Sequence, residues 1–274
     1  MVLGRSESIS MNKQRKASGG RGIEWTDYTW NPVRGCQHGC RWQMPDGTVA
    51  ECYAETVAER VAQHAYPHGF EHHYWNPHVL QEPLKLKSPT RIFLDSMSDL
   101  MGHWVPRDEI EQVLDICSQA YWHRFQLLTK NAPRLLDFEF PPNVWVGVSA
   151  PPSFMFGKPL TLKQQQAMVS RQLDVLEKTN VPVRWISIEP LSFDIAPLLS
   201  GGNLQWAVIG AATNGPRTYQ PEPEWVENVL HILDQQGTAV FFKGNLDWPG
   251  DLWREDFPQL THEGDDLFMA QRTV

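Results

Sequence analysis

Three of the chain's four cysteines fall inside one stretch, WNPVRGCQHGCRWQMPDGTVAECYAE, covering residues 30–55. Cys36 and Cys40 are separated by three residues in a Gly-containing loop, and Cys52 follows after eleven more. Thiols gathered this closely suit metal ligation or redox chemistry, because thiolates bind soft metals and clusters. Three thiolates can hold an iron–sulfur cluster and leave one iron open to a small ligand, whereas four usually complete the shell. Zinc competes for the same donors, since Cys3His coordination by His38 or a later histidine satisfies a tetrahedral ion. Spacing alone leaves both metals open. The remaining thiol, Cys117, sits among Val113, Leu114, Ile116 and Ala120, the setting of a small buried hydrophobe rather than a fourth ligand.

The elements that must position these thiols are readable around them. Between Cys40 and Cys52, Pro45-Asp46-Gly47 is a turn signature flanked by Trp42 and Val49, so a small hairpin is expected to fold out and return Cys52 beside Cys40. Apolar residues at Ala54, Val57, Ala58, Val61, Ala62 and Ala65 give helical spacing over 53–65. Residues 64–78 carry His64, His68, His72, His73 and His78 among aromatic rings. The plain reading is a surface loop packed by its own aromatics; the alternative is a metal ligand or substrate contact.

Short apolar runs at 91–96, 124–130, 143–149, 184–189, 205–210 and 238–243 are strand candidates, and 107–122, 162–178 and 222–236 are helix candidates. Near-continuous apolar strands alternating with helices predict a parallel sheet buried on both faces. The expected fold is α/β, a partial or complete TIM-type (βα) barrel with mainly parallel strands, with a doubly wound open sheet as the alternative. Either arrangement places ligands at the carboxyl ends of the strands. Polar residues collect there: Asp95, Ser96, Ser98, Asp99, Thr129, Lys130, Ser149, Glu189 and Lys243. Lys130, Arg217 and Lys243 are candidates to hold phosphate or carboxylate groups.

With 274 residues and 41% hydrophobic content, the chain can bury a large core. It holds no apolar run long enough to span a bilayer and begins with a polar segment rather than an export signal, so a soluble, cytoplasmic protein without membrane partners is expected. In a reducing compartment, clustered thiols favour metal or redox roles over disulfides. A net charge of −8 argues against a broadly nucleic-acid-coating surface, while leaving a local basic groove open. Residues 1–22 are rich in Ser, Gly, Lys and Arg and are expected to form a disordered basic tail; 23–246 form the barrel domain and 247–274 a C-terminal extension.

The runs IEWTDYTWNPVRGC, CYAE, SMSDL, FQLLTK, NVWVGVS, ISIEPL and VFFKG together resemble a phage- and bacteria-borne three-cysteine family of undefined function, related to radical S-adenosylmethionine (SAM) enzymes. The resemblance spans most of the chain. It implies a 4Fe–4S cluster on Cys36, Cys40 and Cys52, with SAM bound to the open iron and cleaved reductively to a radical that attacks an unknown substrate. It also implies a reductant such as flavodoxin or ferredoxin; no motif resembles that of a specific substrate, and a nucleoside, nucleic acid or peptide stays open. By position it assigns Ser96, Asp99, Ser149 and Glu189 to the methionine and ribose parts of SAM, and Trp42 or Tyr53 to packing against the cofactor. The chain departs from the usual pattern in three places. Eleven residues replace the usual two between the second and third cysteines, Glu51 stands where an aromatic residue is common, and Gly210-Ala211-Ala212-Thr213-Asn214-Gly215-Pro216 lacks a carboxylate. The reading of another class is a non-enzymatic protein, braced by zinc or a closed cluster, that binds nucleic acid or protein.

Overall fold

The computed structural model describes residues 11–14, 22–250 and 252–259. Its central sheet is built from β1 (Asn12–Lys13), β2 (Tyr28–Trp30), β3 (Arg91–Leu94), β4 (Arg124–Thr129), β5 (Val144–Ser149), β6 (Arg184–Ile188), β7 (Trp206–Ile209) and β8 (Ala239–Phe242). The strands lie side by side in chain order; β2 to β8 are parallel and β1 pairs antiparallel at the β2 edge. An order without reversal excludes the doubly wound alternative, whose strand order turns back at a switch point. The ladder begins at β1 and ends at β8 with no pairing between them among the described residues, so a complete barrel is not formed.

Helices α1 (Tyr53–Arg60), α2 (Arg107–Gln119), α3 (Leu162–Lys178) and α4 (Pro223–Gln235) connect the strands. α3 starts at a capping box in which Thr161 and Gln164 satisfy each other's backbone N–H groups. α2 buries Ile110, Val113, Leu114 and Cys117 on one stripe, and α4 buries Val226, Val229 and Leu233. These stripes pack on Ile92, Phe125, Val146, Ile186, Ala207 and Val240 of the sheet in one large apolar core. The helix expected over 53–65 ends at Arg60 and resumes as a 3-10 turn at Gln63–Ala65.

The other face of the sheet curls around Trp25. Its indole lies 4.7 Å from the ring of Phe93 on β3, 5.3 Å from Trp185 on β6 and 5.8 Å from Trp206 on β7. In a flat sheet β3 and β7 would stand roughly 19 Å apart, too far for one side chain to touch both. Trp145 and Phe241 complete this concave aromatic core. Gly147 is required here, because a Cβ at that position would lie 2.4 Å from the Trp185 indole.

The tail expectation needs correction at one point. Asn12 pairs with Thr29 and Met11 is buried, so backbone hydrogen bonds and apolar contact order residues 11–14. Residues 1–10 and 15–21 lie outside the described residues. In the C-terminal extension, Phe257 packs on Trp206 and Phe241, and the Arg91 guanidinium lies 3.6 Å over its ring. Residues 251 and 260–274 are likewise outside the described set. No helix among the described residues is long and apolar enough to cross a membrane.

Candidate cluster and cofactor site

Side chains alternate along a strand, so every second residue faces the concave side. Near the amino ends that series is aromatic, with Phe93, Trp145, Trp185, Trp206 and Phe241. Continued past the carboxyl ends it turns polar, giving Asp95, Lys130, Ser149, Glu189 and Lys243, all of which line a cavity of about 280 Å³. Its floor is Ile23, Trp25, Phe93 and Leu128.

The thiols enter from the β2 edge. Gly35 sits at φ 87°, and a Cβ there would lie 1.8 Å from the His72 carbonyl oxygen, so only glycine allows the loop to approach this closely. The Gly35 N–H donates to the Met97 carbonyl at 3.0 Å, the Cys36 N–H to Phe70 at 2.8 Å, and Ser98 Oγ to the Gly35 carbonyl at 2.6 Å. Cys52 is the N-cap residue of α1. Arg41 makes two bonds of 2.5 and 2.8 Å to the Glu55 carboxylate, tying the residue after Cys40 to the first turn of that helix. Cys36, Cys40 and Cys52 thereby line the same cavity. Burial pushes the Cys40 thiol up to about 11 and the Cys36 thiol well above its ordinary value.

The residues between Cys40 and Cys52 form the expected hairpin, Arg41–Gln43 against Val49–Glu51. It continues into a small sheet through Phe154–Met155 and Lys158–Pro159. Across the cavity mouth, Asp46 at its tip accepts from Tyr219 Oη at 2.7 Å and Arg217 Nη1 at 3.1 Å. Those partners belong to a second hairpin, Ala212–Asn214 with Arg217–Tyr219. The insert therefore roofs the site and is clasped on its far side.

Inside, Asp99 is the hub. It meets His38 Nε2 at 2.7 Å, and accepts from the Lys130 N–H at 2.9 Å and the Met101 N–H at 3.0 Å. Burial alone would raise its carboxyl, but the hydrogen bonds from His38 and the Lys130 N–H and the His38 charge hold it below the usual carboxylate range. Asp95, by contrast, is pushed well up by burial. Two buried polar atoms of cavity-lining residues have no hydrogen-bond partner, His38 Nδ1 and Asp95 Oδ2, and Glu189 Oε1 has only an ion pair. Glu189 is held by Ser187 Oγ at 3.1 Å and paired with Lys243 Nζ at 3.4 Å. Unmet buried polar groups are costly, and such groups concentrate where a ligand completes them.

All nine residues singled out from the sequence as metal or cofactor candidates line this one cavity: Cys36, Cys40 and Cys52, with Trp42, Tyr53, Ser96, Asp99, Ser149 and Glu189. Tyr53 donates its hydroxyl to the Ser96 carbonyl. Lys130 and Lys243 are there too, whereas Arg217 lies outside on the clasp. Cys117 is fully buried in the helix-side core. Of the histidines among the described residues only His38 lines the cavity; His73 instead pairs with Glu109 at 2.7 Å. Among the described residues no three His, Cys, Asp or Glu side chains converge to hold a single metal ion. Asn245, Ser187 and Thr213 also line the cavity and were not singled out. Ser187 was recoverable, since it shares strand parity with Glu189; Asn245, which bonds both backbone groups of Ala211, carried no local signal.

Among solved structures the chain is similar to a doubly substituted spore photoproduct lyase with bound AdoMet and dinucleoside spore photoproduct. The TM-score is 0.52 at 12% identity, over 84% of this chain and 80% of that one. It is also similar to a spore photoproduct lyase mutant in which serine replaces one cysteine, with a TM-score of 0.51 at 12% identity over 84% and 81% of the two chains. At these identities the likeness is one of fold: mixed α/β with a mostly parallel central sheet. No curated protein matches the sequence. Residues 20–258 match the model of a protein of unknown function, DUF5131, and the chain belongs to that family.

Proposed function

We propose that the chain is a radical SAM-like enzyme that holds a 4Fe–4S cluster on Cys36, Cys40 and Cys52, and SAM in the adjoining cavity. The observation that carries the reading is the meeting of three thiols and six polar or aromatic cofactor candidates in one cavity at the carboxyl ends of parallel strands. Three thiols beside an open, polar-lined cavity would suit a cluster with one iron left open to a small ligand. A fold neighbour with bound AdoMet supports the same assignment. Cys36, Cys40 and Cys52 would hold the cluster, which would supply one-electron reduction of the SAM sulfonium using an electron from a reductant such as flavodoxin or ferredoxin.

The chain's own residues do the rest. Tyr53 and Trp42 pack against the cofactor. Ser96, Asp99, Ser149 and Glu189 hold its polar parts, with Asp99 kept ionised by its donors. The concave aromatic floor and the clasped hairpin exclude water, which protects a reactive intermediate from side reactions. The open, curled sheet acts as a partial barrel, and the substrate is an unidentified nucleoside, nucleic acid or peptide group that reaches the mouth.

The test is anaerobic purification with iron and sulfide analysis, then electron paramagnetic resonance of the reduced protein with and without SAM. The expected result is about four irons per chain and a signal perturbed by SAM. Stoichiometric zinc, or no metal, would move the assignment to a non-enzymatic binding protein.

A further inference from the structure

Lys130 follows β4 and is fixed by its backbone from two sides. Its N–H donates to Asp99 Oδ2 at 2.9 Å, and its carbonyl accepts from Gln172 Nε2 of α3 at 3.4 Å. Its side chain lines the cavity that the three thiols line. The other Lys or Arg lining the cavity, Lys243, is paired with Glu189, and Arg41, next to Cys40 in the chain, with Glu55. Among the described residues the Lys130 ammonium forms no ion pair.

We propose that Lys130 is an electrostatic positioning residue for electron delivery: its unpaired ammonium, in the cavity that the three thiols line, favours the reduced form of a cluster bound by the three thiolates. The inference rests on the cluster reading above.

Lys130 and Asp99 both line the cavity with the three thiols. Asp99 is answered by His38 and by two backbone N–H donors, so its field is partly spent locally. Reduction adds one electron and no proton, making the cluster one unit more negative. In a chain of net charge −8, with three thiolates as ligands, a half-buried cation is the group that eases this step. Hydrogen bonds, net charge and exposure are the levers by which a protein sets such potentials.

The experiment is a redox titration of the anaerobically reconstituted full chain, without SAM, using dithionite and viologen mediators and the paramagnetic signal of the reduced cluster. Lys130→Met and Lys130→Gln are compared with Lys130→Arg. At a fixed reductant poise, the two neutral variants are expected to show about a tenfold lower ratio of reduced to oxidised cluster, as removal of one nearby charge predicts. The Arg variant should titrate like the wild type. Loss of the cluster in both neutral variants but not in Lys130→Arg also assigns the effect to charge. An unchanged titration in either neutral variant overturns the proposal, as does cluster loss in all three. Wild-type protein that binds no iron overturns this inference and the cluster reading together, whereas iron with an unshifted titration removes only the role of Lys130.

Discussion

The concave face of the sheet is one surface with two endings. Toward the amino ends of the strands it is closed by indoles and phenyl rings: Trp25, Phe93, Trp145, Trp185, Trp206 and Phe241. Toward the carboxyl ends the same alternate positions become Asp95, Lys130, Ser149, Glu189 and Lys243, and the space stays open as a cavity. The floor stabilises the fold through apolar burial and ring contacts. The mouth does the reverse, keeping buried polar atoms such as Asp95 Oδ2 without partners. The difference teaches that stability and chemistry are separated along the strand, a few residues apart, rather than between domains.

Substitutions at the two ends should therefore separate cleanly. Cys36→Ala, at the mouth, is expected to abolish iron–sulfur binding and SAM cleavage while far-ultraviolet circular dichroism and the melting temperature stay near wild type. A fully active Cys36→Ala protein would end the cluster reading, and a collapsed one would show that the mouth also carries stability. At the floor, Trp206→Ala removes a fully buried indole that touches Trp25, Trp145, Trp185 and Phe257. It should cost about 3–5 kcal/mol in chemical denaturation. A loss below about 1 kcal/mol would mean that the aromatic cluster is not what holds the curl.

The smallest effect concerns the clasp over the mouth. Hydrogen bonds from Thr48 and Tyr219 hold Asp46 down to about 2, so it is ionised and engaged at neutral pH. Asp46→Ala should leave the fold and its melting temperature unchanged, yet raise the rate at which a thiol reagent alkylates the metal-free protein by a few-fold, the scale of an exposed ion pair. Equal alkylation rates in the two proteins would show that the hairpin does not gate access.

Much of this was legible locally. The runs at 91–96, 124–130, 143–149, 184–189, 205–210 and 238–243 all became strands, each ending within two residues of the expected limit, because a strand buried on both faces needs little but apolar side chains. Pro45-Asp46-Gly47 marked its hairpin, since turn chemistry is carried by the turn residues themselves. The polar strand ends marked the cavity. Uniformly apolar strands conceal which of their faces is concave, however, so the aromatic floor was not separable from the helix-side core.

The sequence by itself determined the strands and helices, the hairpin between Cys40 and Cys52, and the residues from which a cavity at the carboxyl ends would be drawn. These depend on local conformation and on period-two or helical spacing, which few neighbouring residues settle. Only the tertiary structure decided that the sheet runs in chain order and stays open, that it curls about Trp25, and that β1 recruits residues 11–14. It also decided that the cysteine hairpin is clasped by Tyr219, 173 residues from Asp46, and that Lys130 shares the cavity of the three thiols with no ion pair among the described residues. Contacts at such separations are chosen by the packing of the whole chain, and no local pattern encodes them.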